Sequence, residues 1–164
     1  MLADMKPADT GGDPYREESL TYYDAHVRKV LVTEREEPFP LGKLIVSRTD
    51  KDGIITHANQ AFVDMSGWAE SELIGAPHYI LRHPDMPAAA FKDLWDTLDK
   101  GVKWHGYVKN LRKDGAYYWV YATVIANVRH GAVVGYTSVR RKPSRDRVNE
   151  CIELYAKMLA EEKA

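Results

Sequence analysis

The sequence predicts an α+β domain, in which a five-stranded antiparallel sheet carries short helices on one face and further helices flank it at the N and C termini. Three observations predict it. Strand-like segments rich in β-branched and aromatic residues lie near both ends of residues 43–142. The stretch between them changes to helical spacing. The length of 164 residues suits one domain with terminal extensions.

Two segments precede the predicted core. Residues 1–14 are polar and contain two prolines and two glycines, so we expect a flexible N terminus. Residues 15–33 contain no glycine or proline and repeat apolar side chains at helical spacing, which predicts an amphipathic helix. Two prolines in residues 34–42 end that helix, so residues 15–42 are predicted to be a helix and a linker.

Residues 43–142 form the predicted core. Two β-branched runs joined by residues 50–53 predict a hairpin. Short helices interrupted by glycine and proline follow, and the longest is predicted over residues 87–101. The turns KDG and RHG separate three further strands, predicted over residues 104–112, 116–128 and 132–142. Residues 143–164 then form a predicted C-terminal helix, capped by Ser144.

Composition excludes several classes of protein. The 23 basic and 24 acidic residues give a net charge of −1, so no overall field attracts nucleic acid. Cys151 is the only cysteine, which excludes an intramolecular disulfide and a multi-thiolate metal site. No apolar run reaches the roughly 18 residues that span a bilayer. We expect no membrane span and a cytoplasmic location.

Several ordered motifs identify a family resemblance. The stretches TDKDGIITHANQAFVDMSGW and ESELIGAPH resemble the first half of a PAS domain. The stretches LRHPDMPAAAFKDLW, GVKWHGYVKNLRKDGAYYWV and GYTSVR resemble, more narrowly, the flavin-binding PAS domain of bacterial aerotaxis receptors. The resemblance covers residues 43–142. It implies a PAS fold, FAD as cofactor, and a non-enzymatic sensor of redox state, oxygen or energy status that signals through its flanking helices.

The predicted cofactor site centres on one strand. Asn110 lies among apolar residues, and its carboxamide offers a donor and an acceptor to the N3 and O4 edge of a flavin. In flavin-binding PAS relatives an asparagine precedes the same turn. Trp104 matches a tryptophan of the aerotaxis family and would stack on the cofactor or wall it, with plain core packing as the alternative. Tyr107, Trp95 and Tyr79 complete the aromatic part of the predicted site.

The motif RHPDMP supplies the polar part of the predicted site. Arg82 is the natural partner for a phosphate, and His83 and Asp85 match the aerotaxis family at the same positions. Two structural alternatives stay open: Asp85 as the cap of the helix near Pro87, and His83 as an ordinary polar loop residue. This loop does not supply the stiff set of three or four donors that a metal needs, so we expect no metal site.

Light-sensing LOV domains resemble this fold and bind FMN, but the sequence departs from them. They need a cysteine beside the flavin, and the loop GAPHYILRHPD has none. Val120 and Arg140 stand where LOV domains place a second asparagine and a glutamine. The aerotaxis family also has an arginine in the final strand. LOV photochemistry is therefore not expected.

Alternative functions and partners complete the expectations. A haem-binding gas sensor would use His83 or His78 as the axial ligand, and a cofactor-free PAS domain would only dimerise and bind a partner. No catalytic arrangement stands out, so an enzyme is not expected. The apolar stripe of the predicted helix over residues 15–33 favours a homodimer through that helix. A downstream signalling protein or domain is the expected recipient of the signal.

Overall fold

The computed structural model describes all residues from Met1 to Ala164. It contains seven strands, four α-helices and two short 3-10 turns, at Pro7–Thr10 and His78–Leu81. The strands are β1 Tyr15–Thr21, β2 Val27–Thr33, β3 Ile45–Asp50, β4 Ile55–Ala58, β5 Trp104–Leu111, β6 Tyr117–Arg129 and β7 Ala132–Arg141. The α-helices are α1 Gln60–Ser66, α2 Glu70–Leu73, α3 Ala88–Asp99 and α4 Arg145–Lys163.

The predicted five-stranded antiparallel sheet is confirmed. Its strand order is β4-β3-β7-β6-β5, with every neighbouring pair antiparallel. Side chains alternate between the two faces because the period of a strand is two. One face of β6 carries Tyr118, Val120 and Ala122, all buried in the main core. The sheet therefore has an inner face, which the helices cover, and an outer face.

The short helices cover the inner face of this sheet. Asn59 caps α1, because its side chain accepts a hydrogen bond from the amide of Phe62. Phe62, from α1, and Leu98, from α3, are buried in the core beneath the helices. The N-cap of α3 is Pro87, without a side-chain cap. The alternative that gave Asp85 this capping role is therefore wrong.

The predicted N-terminal amphipathic helix is wrong: residues 15–33 form the antiparallel hairpin β1-β2. The strand β2 reads VRKVLVT, and β-branched side chains favour strands. The buried positions of β2 also include three consecutive residues, Val30, Leu31 and Val32, which one helix face cannot bury. Packing of this hairpin against Leu111 of β5 decides between the two structures.

The residues on either side of the hairpin are also packed. Met5 is buried and its amide donates to the carbonyl of Lys29 in β2 at 3.0 Å. The N terminus is thus docked on the hairpin instead of starting as the loose segment expected from its composition. The expected linker, residues 34–42, pairs with the sheet, because the amide of Glu37 donates to the carbonyl of Tyr117 at 2.8 Å.

The C-terminal helix α4 begins at its predicted cap, where Ser144 accepts from the amide of Arg147. It lies back along β5, and the Tyr155 hydroxyl donates to the Tyr107 carbonyl at 2.7 Å. At its far end the carboxylate of Glu162 accepts hydrogen bonds from the amides of Ala88 and Ala89, at 3.2 and 2.9 Å. The helix thereby joins β5 to the N terminus of α3. No helix is both long and apolar enough to cross a membrane.

Gly115, in the KDG turn, lets the hairpin approach the sheet. Its φ is +85°, and a Cβ there would lie 2.6 Å from the carbonyl oxygen of Leu31. Gly115→Ala is expected to lower the free energy of unfolding by about 1–3 kcal/mol, because strain and a backbone clash combine. Urea unfolding measures the loss.

The matched control is Gly131→Ala, where φ is +77° and a Cβ would meet nothing within 4 Å. It carries the backbone strain without the clash. Equal losses in the two variants would contradict a role for Gly115 in docking the hairpin.

Candidate functional site: a cavity between the sheet and α3

A cavity of about 880 Å³ lies between the inner face of the sheet and the helices, lined by 26 residues of which 14 are hydrophobic. Its volume is within the range of small-molecule and cofactor sites. The inner face of the sheet forms its floor, and α3 contributes Phe91, Leu94 and Trp95 to its wall. The turn of the N-terminal hairpin also contributes, through Tyr22 and Tyr23. The cavity is therefore large enough to bury a planar aromatic ligand.

Two residues predicted from the sequence lie on the floor of this cavity. Asn110 and Trp104 project from the inner face of β5 and are 5% and 6% exposed. The indole of Trp104 lies over Gly106, where an added Cβ would come within 2.3 Å of the ring. Its Nε1 donates to the carboxylate of Asp93 in α3 at 2.8 Å. Trp104 thus braces the wall, while the Asn110 carboxamide is placed to meet a ligand.

Tyr107, predicted to bind the cofactor, does not line the cavity. It is an odd-numbered residue of β5, whereas Trp104, Val108 and Asn110 project inward. Because alternate residues of a strand point to opposite faces, Tyr107 projects from the outer face. There its ring lies 4.9 Å from that of Tyr121.

Arg82, predicted to bind phosphate, lines the cavity and has no carboxylate within salt-bridge distance. Its guanidinium lies 4.5 Å from the centre of the Phe91 ring, and its Nη2 donates to the carbonyl of Met86 at 3.1 Å. The Nε atom is buried without a hydrogen-bond partner. Burial lowers the pKa of Arg82, and the charge of Glu162 partly opposes that shift. One donor of this arginine is therefore unsatisfied by the protein.

The other two predicted residues of the RHPDMP loop, His83 and Asp85, lie outside the cavity lining, so their contact with the cofactor stays a prediction. His83 is fully buried, and its Nδ1 accepts from the amide of Asp85 at 3.0 Å. Asp85 instead holds Arg16 of β1 at 2.5 Å and Lys109 of β5 at 2.9 Å. Burial alone would raise the pKa of Asp85, but its hydrogen bond to Lys109 and the nearby charges lower it to about 2. Asp85 thus ties the loop to β1 and β5, and His83 holds the loop's own backbone.

Trp95 and Tyr79, both predicted, line the cavity. The ring of Trp95 meets that of Tyr136 edge to face, with 5.1 Å between centroids. The ring of Tyr79 stacks on that of Tyr22 in the hairpin turn, with centroids 3.9 Å apart and planes at 8°. Aromatic surfaces therefore enclose the cavity on its α3 side and on its hairpin side.

A polar cluster that the sequence analysis did not select lies at one part of the cavity. Arg140 of β7 is 2% exposed, and its Nη2 donates to Ser47 Oγ at 2.7 Å. Ser47 Oγ lies 3.1 Å from His78 Nε2, to which its hydroxyl can donate. The guanidinium also lies 4.6 Å from the centre of the Phe62 ring. The one sequence observation that concerned this cluster is that Arg140 stands in the final strand where LOV domains have a glutamine.

Arg140 is a buried cation without a counter-ion. No carboxylate lies within salt-bridge distance, and its Nε is buried with no hydrogen-bond partner. Burial lowers the pKa of Arg140 to about 10, so the group keeps its charge at neutral pH. An isolated buried charge is costly unless something pairs with it. The cavity therefore presents a positive charge suited to an electron-rich or anionic ligand.

The other charged residues that line the cavity strengthen its preference for an anionic ligand. Four cationic side chains line the cavity against one acidic side chain, Asp52; the cations are Lys51, Arg82, Lys92 and Arg140. Burial and the charge of Arg140 lower the pKa of His78 to about 3, so this imidazole is neutral at physiological pH. No cluster of three or more histidine, cysteine or acidic residues could hold a metal ion.

Comparison with known sequences identifies the family to which the residues around the cavity belong. A family model described as PAS fold matches residues 55–140, about half of the chain. The chain is 45% identical over 124 residues to the aerotaxis receptor of Escherichia coli (strain K12), covering 76% of this chain and 24% of the receptor. It is 31% identical over 75 residues to the nitrogen fixation regulatory protein of Klebsiella pneumoniae, covering 46% and 15%. The chain thus spans a quarter or less of these relatives.

Comparison with solved structures shows the same architecture. A light-oxygen-voltage domain studied with a flavin analogue superposes with a TM-score of 0.55 at 28% identity, covering 73% of this chain and 84% of that chain. The dark structure of the blue-light photoreceptor Aureochrome1 LOV superposes with a TM-score of 0.58 at 26% identity, covering 73% and 83%. The sheet and its helical layer are those of these sensory domains.

Proposed function

Because this chain belongs to the PAS family, whose sensory domains it resembles in sequence and fold, we propose that it is a cytoplasmic, non-enzymatic sensor that binds FAD. Its stimulus would be redox state, oxygen or energy status. Similarity to the aerotaxis receptor supports the redox assignment, and similarity to light-oxygen-voltage domains supports a flavin. The physical argument rests on the cavity.

The unpaired charge of Arg140 is the observation that carries this proposal. A flavin ring has carbonyl oxygens and ring nitrogens that can accept from a guanidinium, so it can satisfy the orphaned donor at Nε. Asn110 offers a donor and an acceptor from β5, and Trp104 supplies a flat apolar wall. The residues present therefore fit a flavin.

The same residues would make the bound state sensitive to charge. When bound, FAD supplies reversible acceptance of electrons. Arg140 stabilises negative charge nearby, since a cation in a low-dielectric cavity interacts more strongly than one in water. Ser47 accepts a hydrogen bond from the guanidinium, and the Nε2 atom of the neutral His78 lies within hydrogen-bond distance of both Ser47 Oγ and Arg140 Nη1. A change of charge in the cavity would thus alter the hydrogen bonds of β3 and β7.

The structure offers a route from the cavity to the C terminus. The helix α3 lines the cavity, and its N terminus is held by Glu162 of α4. A shift of α3 would therefore change the position of α4. Ile152 and Leu154 of α4 are about half exposed, which suits contact with a second copy or a downstream domain. The predicted homodimer contact through a helix over residues 15–33 is ruled out in that form, because those residues are the β1-β2 hairpin. We therefore place the output, and any homodimer contact, on α4.

The absorption spectrum of the purified protein tests the function, with chromatography of the released chromophore. Flavin bands and FAD are expected. Asn110→Ala and Trp104→Ala are each expected to lower flavin affinity about tenfold or more, because each removes cavity-lining contacts. Tyr107→Ala is the control, since its side chain lies on the other face of β5.

Other outcomes would contradict the proposal in distinct ways. A Soret band would indicate haem, with His78 as the cavity histidine that could ligate it. A protein that stays colourless after FAD is added would indicate a pure interaction module. For the output, a spin label on Cys151, the only cysteine, reports on α4. An identical label spectrum in oxidised and reduced protein would contradict the route through α4.

A further inference from the structure

The N-terminal hairpin contributes to the cavity although it lies outside the residues that match the family model. That match covers residues 55–140, whereas the hairpin spans residues 15–33. Three residues of its turn region, Thr21, Tyr22 and Tyr23, line the cavity. The hairpin therefore adds a wall to the site that the matched part of the chain does not contain.

We propose that the turn of this hairpin binds the adenosine diphosphate half of the dinucleotide, so that the chain selects FAD over FMN. This inference rests on the proposed function, because it assigns the second half of the same ligand. The flavin ring would occupy the part of the cavity at Asn110 and Arg140. The purine and the phosphates would extend toward the hairpin.

Tyr22 and Tyr23 offer the aromatic surfaces that a purine requires. Tyr23 lines the cavity and is 77% exposed, so one side of its ring is open to a ligand. It meets the Tyr79 ring edge to face, with centroids 5.6 Å apart. Purines stack on such exposed rings, and stacking on an aromatic side chain adds substantially to nucleotide binding. Tyr23 is thus a preformed platform.

Unsatisfied donors lie close to this platform. Tyr22 is 4% exposed, and its hydroxyl is buried without a hydrogen-bond partner. Burial raises the pKa of this hydroxyl, while the charges of Arg28 and Arg82 oppose that shift. Arg82 itself has a buried Nε without a partner, and Lys51 lines the cavity beside the turn. The buried Nε of Arg82 and the ammonium group of Lys51 are donors suited to a diphosphate. The carboxyl groups beside the turn belong to Asp24, which holds the Tyr79 hydroxyl, and to Asp52.

The turn is held in position by the domain. The hydroxyl of Tyr79 donates to the carboxylate of Asp24 at 2.8 Å. The hydroxyl of Tyr23 donates to the carbonyl of Asp52 at 3.2 Å, next to the β3-β4 turn. Two separate parts of the core therefore fix the turn over the cavity. A preformed site loses less entropy on binding than a flexible loop would.

Fluorescence titration of the apoprotein with FAD, FMN and riboflavin tests this inference. Tyr23→Ala is expected to weaken FAD binding about tenfold, because it removes one stacking surface. It is expected to change FMN and riboflavin binding less than about twofold. Tyr22→Phe, which removes only the unpartnered hydroxyl, is expected to weaken FAD selectively and to a smaller extent. Adenosine diphosphate is expected to compete with FAD but not with riboflavin.

The matched control is Tyr15→Ala, since Tyr15 lies on the same hairpin, is partly exposed and does not line the cavity. Its titrations are expected to equal those of the wild type. Equal loss of FAD and FMN in Tyr23→Ala, or no loss of either, would overturn the subsite and leave the proposed function standing. A wild-type apoprotein that binds none of the three flavins would overturn both.

Discussion

Replacing Arg140 by methionine is expected to stabilise the ligand-free protein and to weaken its flavin binding at the same time. The guanidinium is 2% exposed and has no carboxylate partner, so it destabilises the empty fold. A methionine of similar length removes that buried charge and fills much of the space. The free energy of unfolding of the apoprotein is expected to rise by about 1–3 kcal/mol. Flavin affinity is expected to fall about ten- to a hundredfold, as a charged hydrogen bond is lost.

Because stability and flavin affinity are expected to change in opposite directions, a variant that is merely misfolded cannot give the same result. Urea unfolding of the apoprotein measures stability, and flavin titration measures affinity. Arg141→Met is the matched control, because Arg141 is the next residue of β7 and its side chain is exposed outside the cavity. Arg141→Met is expected to leave both the free energy of unfolding and the flavin affinity nearly unchanged. An apoprotein that loses stability with Arg140→Met would show that the charge is paired in the protein, contrary to the proposed role.

The stability of the apoprotein is expected to fall steeply as the pH drops from about 6.5 toward 3. Burial, together with the nearby charges of Arg140 and Lys109, lowers the pKa values of His78 and His83 to about 3. An unfolded chain titrates its histidines near 6.5. Between those values the unfolded state binds more protons than the folded state, so acid favours unfolding. Each histidine contributes a slope of up to about 1.4 kcal/mol per pH unit.

Asp85 adds to this loss only below about pH 5, as do Asp24, Glu72 and Asp114, whose pKa values hydrogen bonds also lower. The pKa of Asp85 is about 2 in the folded protein, below its value in the unfolded chain. Its ionised carboxyl group therefore stabilises the fold above the unfolded pKa, and this stabilisation is lost as the pH falls toward 2. The window from pH 6 to 5, where carboxylates are mostly ionised in both states, therefore reports chiefly on the two histidines. Urea unfolding at several pH values in this window measures the slope.

Two variants separate the histidine contributions. His83→Gln and His78→Gln are each expected to flatten the slope by about half, whatever their effect on stability at pH 7. His57→Gln, at an exposed position, serves as the control and is expected to leave the slope unchanged. A wild-type slope near zero between pH 6 and 5 would contradict neutral, buried histidines in the folded state.

Much of the core architecture follows from local chemistry. The turns KDG and RHG, with Gly115 and Gly131 at positive φ, separate the last three strands as expected. The placement of Asn110 and Trp104 in the cavity follows as well. Tyr107 lies on the outer face of the sheet, because an odd position in a strand whose even positions face inward must point outward.

The N-terminal hairpin was not predictable in the same way. Its sequence fits a helical spacing and a pair of β-branched strands about equally well, and such ambiguity is common for short segments. Contacts with Leu111 and the approach permitted by Gly115 favour the strands. Both contacts join residues far apart in the chain, so no local pattern contains them.

By itself, the sequence determined the five-stranded core, its turns and caps, the family resemblance and the presence of Asn110, Trp104 and Arg82 in one site. These follow from local periodicity, turn geometry and ordered motifs. Only the tertiary structure decided that residues 15–33 pair as a hairpin over the cavity and that Arg140 lies buried inside it without a counter-ion. The physical reason is that burial and pairing depend on contacts between residues far apart in the chain, and local sequence patterns do not contain those contacts.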